Sequence, residues 1–180
     1  MKAIDTIIAT FVDHPAAEKA VKDLGAAGFE VQSLSIVGKG YHSEERVLGF
    51  YNFGDRIQIW GARGVFWGGL WGLFAGGLFV AAPVVGPVVV LGYLASVAVT
   101  ALESAAIVGG ASVLSAALYG IGISKASVVR YETAVKADGF LVMAHGSAHD
   151  IGRARAIIAG VKPASVERYS GMGVLLPEAE

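Results

Sequence analysis

From Gly64 to Leu102 the chain carries no charged residue, and the run is dense in Gly, Ala, Val, Leu and aromatic side chains. A bilayer span needs about 20 such residues, so this stretch is long enough for two spans and constrains the fold more than any other feature. The charge deficit is local. Charged residues make up 16% of the chain, below the roughly 25% usual in soluble domains, and between Trp60 and Ser124 only Arg63 and Glu103 carry charge. The flanks read as ordinary soluble sequence, which makes the chain a composite.

The first flank begins with a β-branched run, Thr6 to Val12, that stops at Asp13-His14-Pro15, a helix-start signal with Pro in the first turn. Ala17, Ala20, Val21 and Leu24 then form one apolar helix face, Gly25 or Gly28 supplies the stop, and a second strand is expected at about Val31 to Val37. The second flank repeats this grammar. Phe140 to Ala144 reads as a strand, and Ser147 with Asp150 forms a capping box. Ile151, Ala154, Ile157 and Ile158 make a buried stripe, and Ser165 to Tyr169 is a short closing strand. A linking helix is expected over Ser124 to Ala137, with Val128, Val129 and Val135 inward.

Two β-α-β halves bury their apolar faces best in one four-stranded antiparallel sheet. The expected class is therefore α+β, a split ferredoxin-like domain interrupted by a hydrophobic, glycine-zipper helical hairpin. The expected divisions are 1–56, 57–123 and 124–180, the middle one forming the hairpin. Its turn is placed at Pro83, Gly86 and Pro87, between helices at about Arg63 to Ala82 and from Val88 onward. A hairpin returns the chain to the side it left, so the two halves can meet. Whether residues 104–123 extend the second helix or break at Gly109-Gly110 stays open.

Gly64, Gly68, Gly72 and Gly76 recur every fourth residue and fall on one helix face, answered by Gly92, Ser96, Thr100 and Ser104. Without Cβ atoms helices approach closely, so this face suits packing within the hairpin or between copies. Trp60, Trp67 and Trp71 crowd the first arm as interface anchors. Arg63 and Glu103 reach similar depth when counted from the turn and can form an intramembrane ion pair; proton or ion handling by Glu103 is the alternative.

Catalytic signals are absent from the pattern. No phosphate loop, nucleophile elbow or dinucleotide fingerprint occurs, and the chain has no Cys for thiol chemistry or a thiolate metal site. His145 and His149 are four apart but straddle a strand end and a helix start, so they and His14 read as structural or solvated. No basic run suits nucleic acid. The expectation is no enzyme activity, no cofactor, no metal and no identifiable small-molecule ligand.

The blocks GDRIQIWGARGVFWGGLWGLFAGG (54–77), PVVGPVVVLG (83–92) and YGIGISKASVVRYETAVKADGFLVMAHG (119–146) resemble a bacterial domain-of-unknown-function family of general stress or low-temperature-induced proteins. In that family two small α/β halves flank a glycine-zipper core. The resemblance implies a stress-associated protein without an assigned reaction and supplies no catalytic residue. The partners expected are a second copy of the chain and a lipid bilayer. With Arg56, Arg63, Lys125 and Arg130 on the flanks and no positive charge at the turn, the location expected is the bacterial inner membrane with both termini cytoplasmic. The alternative is a cytoplasmic homo-oligomer, a ring, filament or shell, that buries the apolar hairpins; a channel using Glu103 is a third class.

Overall fold

A computed structural model describes residues 4–39, 74, 77–82, 86–105 and 112–172. Strand β1 spans Ile4–Phe11. Helix α1, His14–Ala26, starts where Asp13 adopts an extended conformation and its carboxylate accepts from the Ala16 N–H at 2.9 Å. Ala17, Ala20, Val21 and Leu24 are buried along one face, as their spacing requires. Gly28, at φ 86°, turns the chain away. The next strand begins three residues later than the sequence implies. Ser33 closes a 3-10 turn at Val31–Ser33 by donating from both its amide and its hydroxyl to the Glu30 carbonyl, and β2 is Leu34–Lys39.

The apolar middle departs from expectation. Residues Gly77–Ala82 and Gly86–Gly92 are strands β3 and β4, paired antiparallel from Gly77↔Leu91 to Ala82↔Gly86. The helical hairpin is corrected to a β-hairpin across these residues: Gly86 and Pro87 lie at the start of β4, while Pro83 lies outside the described residues. Val88, Val89 and Val90 favour the pleated sheet, where branched side chains pack on both faces. Pro87 is tolerated because β4 pairs with β2 only from Val88 onward, so Pro87 withholds no donor from that ladder. Helix α2 follows as Tyr93–Ala105, then α3, Val113–Gly120, capped by Ser112, and α4, Lys125–Lys136, capped by Ser124. The second apolar helix is described over Tyr93–Ala105, and the helix that follows starts anew from its own cap at Ser112. Among the described residues no helix is long and apolar enough to cross a membrane.

The second flank gives β5 (Phe140–Gly146), α5 (Ala148–Gly160) and β6 (Ser165–Met172). The Ser147 hydroxyl oxygen accepts from the Asp150 N–H at 3.2 Å at the start of α5. The six strands form one antiparallel sheet in the order β3-β4-β2-β5-β1-β6. The flank strands are contiguous in it, and β1 and β2 run parallel to each other with β5 between them. Residues 77–82 and 86–92, expected in a separate middle segment, extend this same sheet, with β4 beside β2 and β3 beside β4.

Helices cover both faces. On one, α1 and α5 pack over Ile7, Ala9, Phe11, Ile36, Leu91 and Val142; on the other, α2, α3 and α4 pack over Ile8, Val37, Val88, Val90, Leu141 and Met143. The inward stripe of α4 is Val128, Tyr131 and Val135, whereas Val129, expected inward, is 54% exposed. It follows Val128 by one residue, about 100° round the helix, and so leaves the stripe.

Candidate functional site

Three polar residues meet one another on the α2 face of the sheet: Thr6 on β1, Ser35 on β2 and His145 on β5. Strand alternation puts His145 on the same face as Leu141 and Met143. Its ring is gripped at both nitrogens. Thr6 Oγ1 lies 2.9 Å from Nδ1 and Ser35 Oγ 3.3 Å from Nε2. Ser35 Oγ also accepts from the Leu94 N–H at 2.9 Å, tying the first turn of α2 to the sheet. Burial pushes the His145 pKa down to about 4, so the imidazole is neutral at pH 7.

Gly92 brings α2 to this place. Its φ is +82°, and a Cβ there would lie 2.1 Å from the Leu34 carbonyl oxygen, so the strand-to-helix corner closes against β2 only without a side chain. The next residue, Tyr93, stacks on His145 with ring centroids 4.6 Å apart at 54°. The Tyr93 hydroxyl is buried and has no hydrogen-bond partner among the described residues, and burial raises its pKa. Beside this pair lies a cavity of about 600 Å³, walled by Ile4, Val31, Phe74, Tyr93, Ala95 and His145 with Glu30, Gln32, Ser33 and Ser96 also lining it.

A second polar cluster fastens the outer strand β6 to α4. Tyr131 and Tyr169 hydroxyls are 2.8 Å apart, and both donate to Glu167 Oε2, at 3.1 and 2.5 Å. Arg130 pairs with the same carboxylate at 2.6 Å. Burial raises the Glu167 pKa, but the hydrogen bonds from Tyr169, Tyr131 and Arg130 outweigh it and hold the group below the usual range. Burial, aided by Tyr169 and Glu167, pushes Tyr131 far up, so both phenols stay protonated donors. On the opposite face of β6, Arg168 donates to Asp5 at 2.6 Å, and further along the strand the Gly171 N–H donates to the same carboxylate at 3.0 Å; both lower the Asp5 pKa. These contacts order an edge strand; they present no nucleophile with a base.

Of the residues singled out from sequence, Gly64, Gly68, Gly72, Gly76, Arg63, Trp60, Trp67, Trp71 and Pro83 lie outside the described residues. The Arg63–Glu103 pair therefore does too, although Glu103 falls within α2. Gly92 is corrected from a zipper position to the end of β4, so the row Gly92, Ser96, Thr100 and Ser104 is not one helix face; the last three do share α2. The Ser96 hydroxyl is exposed and donates to the Tyr93 carbonyl at 2.7 Å. The expectation for His145 and His149 is a structural or solvated role: His149 is exposed, and His145, 5% exposed, anchors the cluster. The cluster was detectable in principle, because Thr6, Ser35 and His145 occupy strand positions where alternation demands apolar side chains. No group of metal-ligating side chains occurs among the described residues.

Residues 6–83 match the family model described as the heat induced stress protein YflT domain. The match covers a little under half of the chain, beginning in β1 and including β3, and supports a stress-induced bacterial family. Neither the curated proteins nor the solved structures compared with the chain give a match.

Proposed function

We propose that this is a non-enzymatic, stress-associated protein that self-assembles through the glycine face of residues 64–76, carried on an α/β domain of ferredoxin-like plan. The strand order β2-β5-β1-β6, with a helix following β1 and another following β5, supports that plan. The heat-stress domain match supports the association with stress.

The observation that carries self-assembly is the position of Gly92. With it committed to a strand corner, the small-residue row that would have paired with Gly64, Gly68, Gly72 and Gly76 inside one chain loses its first member and its register. Pairing between copies then becomes the better use of the series. The same strands weaken a membrane-spanning reading. The charge-free run ahead of β3 shortens to Gly64–Gly76, which as a helix covers about 20 Å against about 30 Å of hydrocarbon.

Light scattering of the purified protein in detergent-free buffer tests this. The wild type is expected as a discrete multimer, and Gly68→Val with Gly72→Val, which fills the close-approach face, is expected to reduce it to the monomer mass while circular dichroism stays unchanged. A monomeric wild type, or a multimer indifferent to the paired substitution, contradicts the proposal. Recovery of the wild type only in a carbonate-resistant membrane pellet would reinstate the bilayer as its partner.

A further inference from the structure

We propose that the cavity beside His145 and Tyr93 is a binding site for a neutral, planar, mainly apolar small molecule. The site does not require assembly through the glycine face, although its wall residue Phe74 lies within the same segment, 64–76. Its volume, about 600 Å³, falls within the range of small-molecule sites, roughly 300 to 1,000 Å³. Two aromatic rings, Phe74 and Tyr93, and the aliphatic side chains of Ile4, Val31 and Ala95 make the wall, a composition that rewards a flat hydrocarbon body.

Charge sets the sign of the ligand. The described lining contains one carboxylate, Glu30, and neither Lys nor Arg, while His145 is neutral at pH 7. An anion entering would meet Glu30, and no cation among the described lining residues offsets the loss of its hydration. A neutral molecule loses little. The orphaned Tyr93 hydroxyl supplies an independent observation, since a buried O–H without an acceptor costs about 1–3 kcal/mol and native folds rarely keep one without a use. The hydroxyl oxygen has almost no exposed surface, so a ligand's acceptor oxygen, such as a ring ketone, takes that proton only once the Tyr93 ring has turned it toward the cavity.

The environment-sensitive naphthyl ketone Prodan is neutral and planar and has such an oxygen, and anilinonaphthalene sulfonate is its anionic counterpart. Titration of the full-length protein is expected to give saturable Prodan binding, one per chain, with blue-shifted emission, and sulfonate binding about tenfold or more weaker. Glu30→Lys, at an exposed position, should close most of that gap. Ala95→Trp, which adds an indole ring at the cavity wall, should weaken Prodan about tenfold or more; should that variant fail to fold by circular dichroism, Val31→Lys replaces it with the same expectation. No saturable Prodan binding to folded wild type up to the probe's solubility limit overturns the proposal. So does binding unchanged by the folded cavity variant, or sulfonate binding as tight as Prodan.

Discussion

Gly92→Ala is expected to destabilise the fold by about 3–5 kcal/mol, the largest effect of any single methyl addition considered. Two costs combine. At φ +82° an L-residue is strained by about 1–2 kcal/mol. The added Cβ would also sit 2.1 Å from the Leu34 carbonyl oxygen and 3.0 Å from the Phe74 ring, and backbone oxygen cannot swing aside as a side chain can. Strands β2 and β4 must part at Ser35↔Gly92, which loosens the Ser35 contact to the Leu94 N–H. Gly25→Ala is the control, because nothing lies within 4 Å of its Cβ position within α1; it should stabilise by about 0.5–1 kcal/mol. Urea unfolding of the two variants measures both. A loss below about 1 kcal/mol at Gly92 would mean that the corner is not closed as described.

The second large effect is a loss of stability on mild acidification, centred on His145. The unfolded chain takes up a proton on this residue near pH 6.5, whereas the folded protein resists until about pH 4 because the ring is buried. Between those limits the unfolded state binds more protons, so stability is full above about pH 6.5 and falls as pH drops to about 4, by about 3 kcal/mol in all. Asp5, lowered chiefly by its hydrogen bond from Arg168, and Asp150, lowered chiefly by Ser147, lose their contributions only at lower pH, beneath the ordinary carboxylate value. The two windows are therefore separable. His145→Gln keeps an amide donor and acceptor near Thr6 and Ser35 but cannot titrate, so its unfolding midpoint should be flat across the His145 window. An equal slope in wild type and variant would assign the acid sensitivity elsewhere.

The parts of this fold that could be read from sequence are those marked by a local signal, whether a cap, a stop or a one-sided apolar stripe. The α1 stripe, the Asp13 and Ser147 caps and the return of the second flank to the first all follow from periodicity or local hydrogen bonding, and all are present. Strands β3 and β4 lacked such a signal. Val88, Val89, Val90 and Leu91 are buried on both faces of the sheet, so alternation vanishes and a short apolar run reads equally as strand or helix. Spacing then misplaced Gly92. A glycine four residues before Ser96 fits a zipper by count, yet the force acting on it is a carbonyl oxygen from β2, a contact that no local pattern encodes. The His145 cluster failed to register for a related reason: its partners Thr6 and Ser35 are 139 and 110 residues distant along the chain.

Everything proposed for the apolar segment depends on residues 86–92 lying in the sheet beside β2. The chain has no cysteine, so Val37→Cys with Val90→Cys introduces one defined pair at positions that face each other across β2 and β4. Opposed residues of antiparallel strands have Cα atoms about 4.5–5.5 Å apart, within the range a disulfide spans. Mild oxidation in detergent-free buffer should close an intrachain cross-link in most molecules, identified by mass after proteolysis. Two free thiols at positions 37 and 90 in the folded protein, or cross-links only between copies, would contradict the sheet.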